Sequence, residues 1–324
     1  MPKVSVIVPV YGVEKYIERC ARSLFEQTLD DIEYLFIDDC TPDKSMDILK
    51  KVLEDYPNRK DQVVIHRMEK NSGQALVRKW GILNASGDYI IHCDSDDWVS
   101  VDMYCAMYEK AVDEDADIVV CDYVTTDGTD SFTDVVHIGC LNTDRDSFIK
   151  NMLFQRVAWS LCNKLFKKDV YYKGEFRFPE GAMGEDMALT LQLIWNCEKI
   201  AYLPQAAYHY NIANNFSLIH SREPDIVLSK FHQASENVCI VIDKFEKNNK
   251  SKDFARGLMY LKYNEKQILF PLVKNKKIRK MWRNAFKEIN AKVITFTNVR
   301  WQDKVKFYMA LSGLVLWRQI STTK

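Results

Sequence analysis

Short apolar runs alternate with longer amphipathic segments over the first 122 residues of the chain. Residues 4–10 (VSVIVPV) are almost continuously apolar and β-branched, which is typical of a strand buried on both faces of a parallel sheet. Apolar residues then recur at helical spacing from Ile17 to Phe25. The same alternation continues along the chain. It predicts strands at residues 4–10, 34–37, 63–65, 89–93 and 118–121, with helices between them.

Strands that alternate with helices at this spacing predict an α/β protein with an open, mostly parallel sheet flanked by helices. After residue 122 the alternation ends, and residues 145–170 and 186–197 are predicted to be helical, with loops between them. From residue 225 to the end, aromatic and apolar residues recur at helical spacing among Lys and Arg. We therefore expect an α/β part followed by a helical C-terminal extension.

Charge is divided unevenly along the 324 residues. The chain has 45 basic and 45 acidic side chains, so its net charge gives no reason to expect a nucleic-acid partner. Residues 220–324, however, hold 22 Lys or Arg against nine Asp or Glu. We therefore predict a domain boundary at residue 220. It would separate a globular domain with excess acidic charge, residues 1–220, from a basic helical region, residues 221–324.

The cysteines and the apolar segments bear on the compartment. Nine Cys occur, and no two form a CxxC pair, which predicts neither a disulfide framework nor a structural zinc site and indicates a reducing compartment. No window approaches the ~18 apolar residues that a membrane-spanning helix requires. Residues 304–320 (KVKFYMALSGLVLWRQI) place basic residues at both ends of a short apolar stretch. This pattern predicts a helix that lies on an anionic membrane surface or packs on the globular domain.

Acidic residues directly follow two of the predicted strands. Asp38 and Asp39 come after the second strand, and Asp94, Asp96 and Asp97 come after the fourth. Ligands of open α/β sheets bind beyond the carboxyl ends of the strands, so these five carboxylates are expected to converge at one edge. Two like charges ~4 Å apart repel by roughly 4 kcal/mol at an effective dielectric constant near 20, so the cluster is expected to hold a cation or hydrogen-bond donors.

Oxygen ligands alone favour a hard divalent ion, Mg²⁺ or Mn²⁺, which combines one or two carboxylates with substrate phosphates. A nucleotide diphosphate is therefore a natural partner. The alternative is that these Asp residues only shape turns, because an Asp side chain mimics a backbone turn. Two clusters on two strands, one of them DSDD, favour the cation. Neither GxGxxG after the first strand nor GxxxxGK[ST] occurs, which disfavours dinucleotide-binding and P-loop proteins.

Several segments occur in a fixed order: VSVIVPVYGVEKYIERCARSL, FIDDCTPDKS, NSGQALVRKWGI, GDYIIHCDSDDW, WSLCNKLFKKD and RFPEGAMGEDMALTLQL. Together they resemble family 2 glycosyltransferases of the bacterial polysaccharide-biosynthesis type over residues 3–220. The resemblance implies the GT-A fold, with a nucleotide-binding half in residues 1–122 and an acceptor half in residues 123–220. Cys40, Val77 and Lys79 depart from the family pattern, but none of them replaces an acid that would carry chemistry.

The resemblance also implies how a nucleotide-sugar donor would be held. Pro9 and Tyr11 would line the nucleobase pocket. Asp38 would recognise the uracil or the ribose, with Asp39 as its neighbour. Arg78 would reach the nucleotide, although an Arg on a helix is also common as a solvated charge. UDP is the usual carrier in the family.

The DSDD segment would hold the metal and the sugar. Asp94 would bind the ribose or the donor sugar and contribute to the metal site, and Asp96 would bind the Mn²⁺ or Mg²⁺ that bridges the diphosphate. Asp97 would hold donor-sugar hydroxyls or a metal-bound water. His209 and His220 lie where a third metal ligand is sought, but a packed or hydrogen-bonded His is the favoured interpretation of both.

The second acidic segment would supply the catalytic base. By the resemblance, Asp186 is the general base and Glu185 supports it. The alternative is that both acids only open a helix, where the helix dipole favours them. Trp159, Asn163 and Lys164 are expected on the acceptor side, although Trp159 is equally well placed for the core.

The resemblance therefore implies an inverting, metal-dependent glycosyltransferase. It would move a hexosyl-type sugar from a nucleotide-diphosphate donor to a saccharide or lipid-linked acceptor during surface polysaccharide assembly. The setting would be the cytoplasm, with a peripheral contact at the inner face of the membrane. Two alternatives remain. A nucleotidyltransferase of similar fold would need a Gly/Lys/Arg-rich triphosphate loop, which VPVYGVEKY lacks, and a non-catalytic binding protein would tolerate loss of Asp96 and Asp186.

Overall fold

The structure is a computed structural model that describes residues 1–128, 132–138, 144–213 and 223–313. It contains two compact units, Met1–His220 and Ser221–Lys324. The first unit carries strands β1 to β9 and helices α1 to α6 in its described residues. The strands are β1 Val4–Val10, β2 Ile32–Asp38, β3 Val63–Arg67, β4 Tyr89–His92, β5 Trp98–Val99, β6 Ile118–Thr126, β7 Phe132–Val136, β8 Lys164–Lys167 and β9 Ile200–Asn211. The helices are α1 Ile17–Phe25, α2 Ser45–Glu54, α3 Gln74–Asn84, α4 Met103–Asp113, α5 Arg145–Leu153 and α6 Glu185–Asn196.

The nine strands of the described residues belong to one sheet, in the order β3-β2-β1-β4-β8-β6-β9-β5, with β7 beside β6. Strand β1 pairs in parallel with β2 and β4, and β2 pairs in parallel with β3. The α/β architecture predicted from residues 1–122 is thus confirmed. Beyond β4 the sheet is mixed, because β8 runs antiparallel to both β4 and β6, whereas β6 and β9 are parallel.

The predicted helix at residues 145–170 is largely wrong. Only α5, Arg145–Leu153, is helical there, and Lys164–Lys167 forms β8. The twelve-residue strand β9 was not predicted at all. Its sequence, IAYLPQAAYHYN, contains Pro and three Ala, which are poor strand formers, and it lacks a clean alternation. Its conformation follows from pairing with β6, which is a contact between distant parts of the chain.

The core of the first unit lies on both faces of the parallel strands. The apolar face of α1 predicted from the sequence is buried against them. On the other face, Gly81 of α3 lies against Ile7 of β1, and a Cβ added at Gly81 would come 2.6 Å from Cγ2 of Ile7. The absence of a side chain at this position therefore allows α3 to approach β1 closely. This approach matters for the site because α3 carries Gln74 and Arg78.

The second unit is helical in its described residues, as the sequence predicts. Its helices are α7 Pro224–Lys247, α8 Ser251–Gln267, α9 Lys276–Asn284 and α10 Trp301–Ser312. Its core centres on Trp282, whose ring lies 4.9 Å from the ring of Phe307 and 4.8 Å from Nζ of Lys266. Among the helices of the described residues, none combines the length and the apolar character needed to cross a bilayer. Residues 314–320 of the predicted surface helix lie outside the described residues.

Candidate active site

The two acidic clusters lie at the carboxyl ends of neighbouring parallel strands. Asp38 is the last residue of β2 and pairs with Val10 at the end of β1. Asp94 begins a turn just beyond β4, and the backbone N–H of Asp97 donates to the carbonyl oxygen of Asp94 at 3.0 Å. Because β1 lies between β2 and β4, both clusters fall at the same edge of the sheet, as predicted.

The first cluster shapes the loops around this edge. Asp38 accepts hydrogen bonds from the N–H of Thr41 at 2.7 Å and from the guanidinium of Arg67 at 2.7 Å. Asp39 accepts from the N–H groups of Ser72 at 2.6 Å and Gly73 at 2.9 Å, so it fixes the loop that enters α3. Both carboxylates are buried. A direct contact of either with a nucleotide stays a prediction.

The two residues predicted to line the nucleobase pocket, Pro9 and Tyr11, lie at the end of β1 and in the loop that follows it. Pro9 is half-buried, and the side chain of Tyr11 is 50% exposed. Gly12 follows with a φ of 68°, a left-handed conformation that glycine adopts without strain. The N–H of Gly12 donates to the hydroxyl of Thr41 at 2.8 Å. The loop after β1 is therefore hydrogen-bonded to the loop after β2, and the exposed ring of Tyr11 lies in the loop after β1.

Arg78 is the centre of the second cluster and not a solvated charge, since it is only 3% exposed. Its Nη2 donates to Oδ1 of Asp94 at 2.7 Å, and its Nη1 donates to Oε1 of Glu185. The side-chain amide of Gln74 donates to the same oxygen of Asp94 at 3.1 Å. One guanidinium on α3 thus joins the turn after β4 to the start of α6.

Helix α6 begins at Glu185, after Gly184 in a left-handed conformation with φ of 75°. Glu185 is buried, and burial raises its pKa to about 8 against the opposing attraction of Arg78. Asp186 is half-buried. Burial also raises the pKa of Asp186, while the N–H of Met187 and the charge of Arg78 oppose the increase. A carboxylate whose pKa moves towards neutrality is better suited to accept a proton in catalysis.

Asp97 is turned away from the open edge of the site. It is 1% exposed, and strand β9 engages both of its oxygens: the hydroxyl of Tyr208 donates to Oδ2, and the N–H of Asn211 donates to Oδ1 at 2.8 Å. Burial, together with the charges of Asp96 and Asp94, raises the pKa of Asp97 well above its usual value. The expectation that Asp97 holds sugar hydroxyls or a metal-bound water therefore has no support here.

The remaining acids suit a divalent ion. Asp94 and Asp96 are partly exposed carboxylates two residues apart, beside a third acid whose pKa their charges raise. Within the described part of the chain, no group of three or more His, Cys, Asp or Glu side chains forms a complete metal site. Two carboxylates fit Mg²⁺ or Mn²⁺, because such an ion takes its other ligands from water and phosphate.

Two histidines, His209 and His220, were considered as a third metal ligand. His209 stacks on Trp98, with ring centroids 5.3 Å apart and an interplanar angle of 5°. Its Nε2 lies 3.1 Å from the hydroxyl of Ser100. This arrangement agrees with the favoured interpretation of His209 as a packed, hydrogen-bonded residue. His220 lies outside the described residues.

The three residues predicted on the acceptor side donate hydrogen bonds to backbone carbonyl oxygens of the protein. Asn163 and Lys164 are both buried, and a contact of either with an acceptor stays a prediction. Nζ of Lys164 donates to the carbonyl oxygens of Ala158 and Ser160 at 3.0 and 2.6 Å, and burial lowers its pKa to about 8. Trp159 is half-buried, and its indole N–H donates to a backbone carbonyl at 2.9 Å. The burial of Lys164 could not be predicted, because nothing in the sequence distinguishes a buried Lys from a solvated one.

Three residues that contact Asp94 or Asp97 were not predicted from the sequence. Gln74 lies within the NSGQALVRKWGI segment, but no role was expected for it. Tyr208 and Asn211 belong to β9, and they were missed because that strand was not predicted. The available signal was the group of three Tyr and Asn residues near the end of β9, since polar-tipped residues at the end of a strand are candidates for a site edge.

The fold and this edge together define a glycosyltransferase of the GT-A type. A family model described as Glycosyl transferase family 2 matches residues 5–172. The match covers more than half of the chain, so the protein belongs to this family. The similarity to this family seen in the sequence segments is thereby confirmed.

Curated relatives carry matching names. "Glycosyltransferase GlyA" of Streptococcus pneumoniae is 31% identical over 225 residues, which are 65% of this chain and 30% of GlyA. "Putative glycosyltransferase EpsH" of Bacillus subtilis is 28% identical over 264 residues, 79% of this chain and 73% of EpsH. "Minor teichoic acid biosynthesis protein GgaB" of Bacillus subtilis is 26% identical over 223 residues, 66% of this chain and 23% of GgaB. The chain thus spans less than a third of GlyA and of GgaB.

Solved structures show the same fold. Residues 1–349 of S. aureus TarS in complex with UDP-GlcNAc superpose with a TM-score of 0.59 at 17% identity, covering 96% of this chain and 88% of that one. The mannosyltransferase PcManGT of Pyrobaculum calidifontis, in complex with GDP-Man and Mn²⁺, gives a TM-score of 0.55 at 14% identity, with coverages of 98% and 87%. At these identities the likeness establishes the fold alone.

Proposed function

We propose that this glycosyltransferase moves a hexosyl-type sugar from a UDP-sugar to a hydroxyl group of a saccharide or lipid-linked acceptor, with inversion at the anomeric carbon. The observation that carries the proposal is the buried guanidinium of Arg78, which binds both Asp94 and Glu185. It connects the acidic turn suited to a diphosphate with the start of α6. The partly exposed Asp186 therefore stands close to the position where the donor sugar would lie.

The reaction would be a single displacement in which Asp186 acts as the base. Asp186 takes the proton of the acceptor hydroxyl, and the hydroxyl oxygen attacks the anomeric carbon from the face opposite the diphosphate. The bond from that carbon to the diphosphate oxygen breaks. Glu185 is less suited to this role, because it is buried and its Oε1 accepts from Arg78. In our proposal Glu185 fixes Arg78, and Asp186 does the chemistry.

Asp94 and Asp96 would hold the divalent ion, Mn²⁺ or Mg²⁺. When bound, the ion would neutralise charge on the leaving diphosphate. The complex of PcManGT with Mn²⁺ supports this assignment by analogy of fold. Arg78 and Gln74 share Oδ1 of Asp94, so they fix the direction of that carboxylate. Tyr11 would lie against the nucleobase, and the name of GgaB supports a role in the assembly of a surface polymer.

A thermal-shift experiment tests the donor and the ion together. Melting temperatures would be measured with UDP, UDP-GlcNAc or GDP-Man, each in Mn²⁺, in Mg²⁺ and in EDTA. UDP should stabilise the protein more with the metal than with EDTA, because a ligand that binds only the folded state raises the free energy of unfolding by RT ln(1 + [L]/Kd), and the metal lowers the Kd.

Asp96→Ala should abolish the difference between metal and EDTA. The matched control is Asp61→Ala, since Asp61 is an exposed acid outside the cluster and its loss should leave the difference unchanged. Equal stabilisation by UDP in EDTA and in Mn²⁺ would show that the metal assignment is wrong. Binding of UDP-sugars without any release of UDP in the presence of acceptors would favour the non-catalytic alternative.

We also propose that residues 1–220 form the catalytic domain and that the basic unit 221–324 contacts an anionic membrane surface at the inner face of the membrane. Helix α10 packs Phe307 and Ala310 into the core of its own unit. On its other side Trp301 is 67% exposed, and Val305 is exposed as well. An aromatic and aliphatic face beside Lys and Arg residues is typical of a surface that inserts between lipid headgroups.

A further inference from the structure

The turn that carries Asp94, Asp96 and Asp97 follows β4, but its conformation is set by β9. The hydroxyl of Tyr208 donates to Oδ2 of Asp97 and accepts from the backbone N–H of Asp94 at 3.2 Å. A single phenolic oxygen therefore bridges the first and last residues of the turn. Tyr208 is buried, so its hydroxyl has no solvent to replace these bonds.

Asn211 holds the same turn from three residues further along β9. Its backbone N–H donates to Oδ1 of Asp97 at 2.8 Å, and its side-chain amide donates to the carbonyl oxygen of Asp96 at 3.1 Å. Asn211 is buried as well. Together, Tyr208 and Asn211 make two bonds to the carboxylate of Asp97 and two to the backbone of the turn.

The residues that follow the turn also pair with β9. Strand β5 follows Asp97 directly and runs antiparallel to β9, with Trp98 opposite His209 and Val99 opposite Tyr208. The ring of Trp98 stacks on His209, and the guanidinium of Arg19 lies 3.3 Å from the centroid of the Trp98 ring. The turn is thus fixed at its backbone, at its last side chain and at the strand that follows it.

From these contacts we infer that Tyr208 and Asn211 are positioning residues for the divalent ion and the diphosphate. They touch neither ligand. They fix the backbone from which Asp94 and Asp96 project, and Asp97 is the side chain through which they do so. The inference rests on the proposed function, because it assumes that Asp94 and Asp96 receive the ion. It gives Asp97 a structural role in place of the sugar contact expected from the sequence.

Tyr208→Phe tests this directly, because it keeps the ring and removes both hydrogen bonds of the hydroxyl. The measurement is a titration of Mn²⁺ at fixed UDP, followed by the thermal stabilisation that UDP confers. Without these two bonds the turn holds Asp94 and Asp96 less firmly, so the Mn²⁺ concentration at half effect should rise roughly tenfold, which corresponds to about 1.4 kcal/mol. Asn211→Ala removes one bond to the turn, the bond to Asp96, together with the bond that the side-chain oxygen of Asn211 accepts from the N–H of Ala213. It should give a smaller rise, roughly threefold.

Tyr202→Phe is the matched control. Tyr202 lies on the same strand, and its hydroxyl donates to the carboxylate of Asp122 at 2.9 Å, away from the turn. Its loss should lower the melting temperature without moving the Mn²⁺ midpoint. A purely structural role for Tyr208 would give the same pattern as Tyr202→Phe. Turnover at saturating Mn²⁺ and donor should stay within a few-fold of wild type in Tyr208→Phe, because no reacting group is removed.

The outcomes separate this inference from the proposed function. If the wild-type protein shows no metal-dependent binding of UDP, the metal assignment fails and the inference fails with it. If the wild type depends on Mn²⁺ but neither Tyr208→Phe nor Asn211→Ala moves the midpoint, only the positioning role is overturned. Should Tyr208→Phe not fold, Asn211→Ala decides the question alone, because it leaves the backbone bond to Asp97 in place.

Discussion

Asp186 and Glu185 are adjacent residues in different surroundings, and this difference leads to a prediction for the base. Asp186→Asn keeps the shape of the side chain and removes its basicity. We expect turnover to fall by roughly 10² or more, with little change in UDP-sugar binding. In the wild type, activity should be lost as pH falls through the pKa of Asp186, because only the deprotonated form accepts a proton. Since burial raises that pKa, the acid limb of the pH–rate profile should lie above the ordinary Asp value of ~3.9.

Steady-state kinetics of Asp186→Asn beside Glu180→Gln would check this expectation. Glu180 is an exposed acid in the segment just before α6, so its substitution should leave turnover unchanged. Near-normal turnover in Asp186→Asn would exclude this residue as the base, and Glu185 would become the next candidate.

The places of individual acidic residues in the fold were easier to predict from the sequence than those of basic residues. Asp94 and Asp96 could be placed at the sheet edge because they directly follow a predicted strand, which is a signal in the sequence. Asp186 was named only through the family resemblance. The cations carry no such signal, because Lys and Arg are ordinarily solvated and only tertiary contacts show otherwise. The structure buries Arg78 between two carboxylates and Lys164 among carbonyl oxygens. Neither environment can be inferred from spacing along the chain.

The packing of α3 on β1 gives a prediction at the scale of elements. In Gly81→Ala the new methyl group would lie 2.6 Å from Cγ2 of Ile7 and 3.1 Å from its Cγ1. Ile7 is completely buried, so it cannot move aside, and α3 must shift. We expect a loss of about 1–3 kcal/mol in the free energy of unfolding, as overpacking typically costs.

Urea denaturation of Gly81→Ala and Leu83→Ala would measure this effect. Leu83 lies on the same helix but is exposed, so its truncation should change stability by less than about 0.5 kcal/mol. Because Arg78 lies one turn before Gly81, the shift of α3 should also weaken binding of UDP. A Gly81→Ala protein as stable as the wild type would show that α3 is not closely held on β1.

The same scale shows where sequence patterns stop being informative. Strands β1 to β4 and helices α1 to α4 were predicted because each carries its own signal, an apolar run or one amphipathic face. The apolar run of β3 is nevertheless not buried, since Val64 and Ile65 are exposed. Strand β8 is only four residues long, and β9 contains Pro and Ala. Their conformation depends on pairing with β4 and β6, which no local pattern encodes. The contacts of Tyr208 and Asn211 were not predicted, because both residues belong to β9.

At the scale of the molecule, opposite charges are carried by two separate compact units. The basic charge of the second unit is displayed on its surface, since Lys276, Lys277 and Lys280 of α9 are exposed while Ile278 and Trp282 point into the core. Basic side chains spread over a helix in this way attract anionic surfaces over about one Debye length, ~8 Å at physiological ionic strength. A lipid-linked acceptor would be presented at such a surface.

Sedimentation with lipid vesicles tests this contact on the whole chain. The protein should sediment with vesicles that contain anionic lipid and much less with neutral ones, and added salt should weaken the binding because it screens the basic residues. Trp301→Ala should reduce the affinity roughly ten- to hundredfold, since burial of a large apolar side chain contributes about 1.5–3 kcal/mol. Val112→Ala, at an exposed apolar residue of α4 in the first unit, should have no effect. Equal sedimentation with both kinds of vesicle, or none with either, would exclude the membrane contact and leave α10 as a packing element of its own unit.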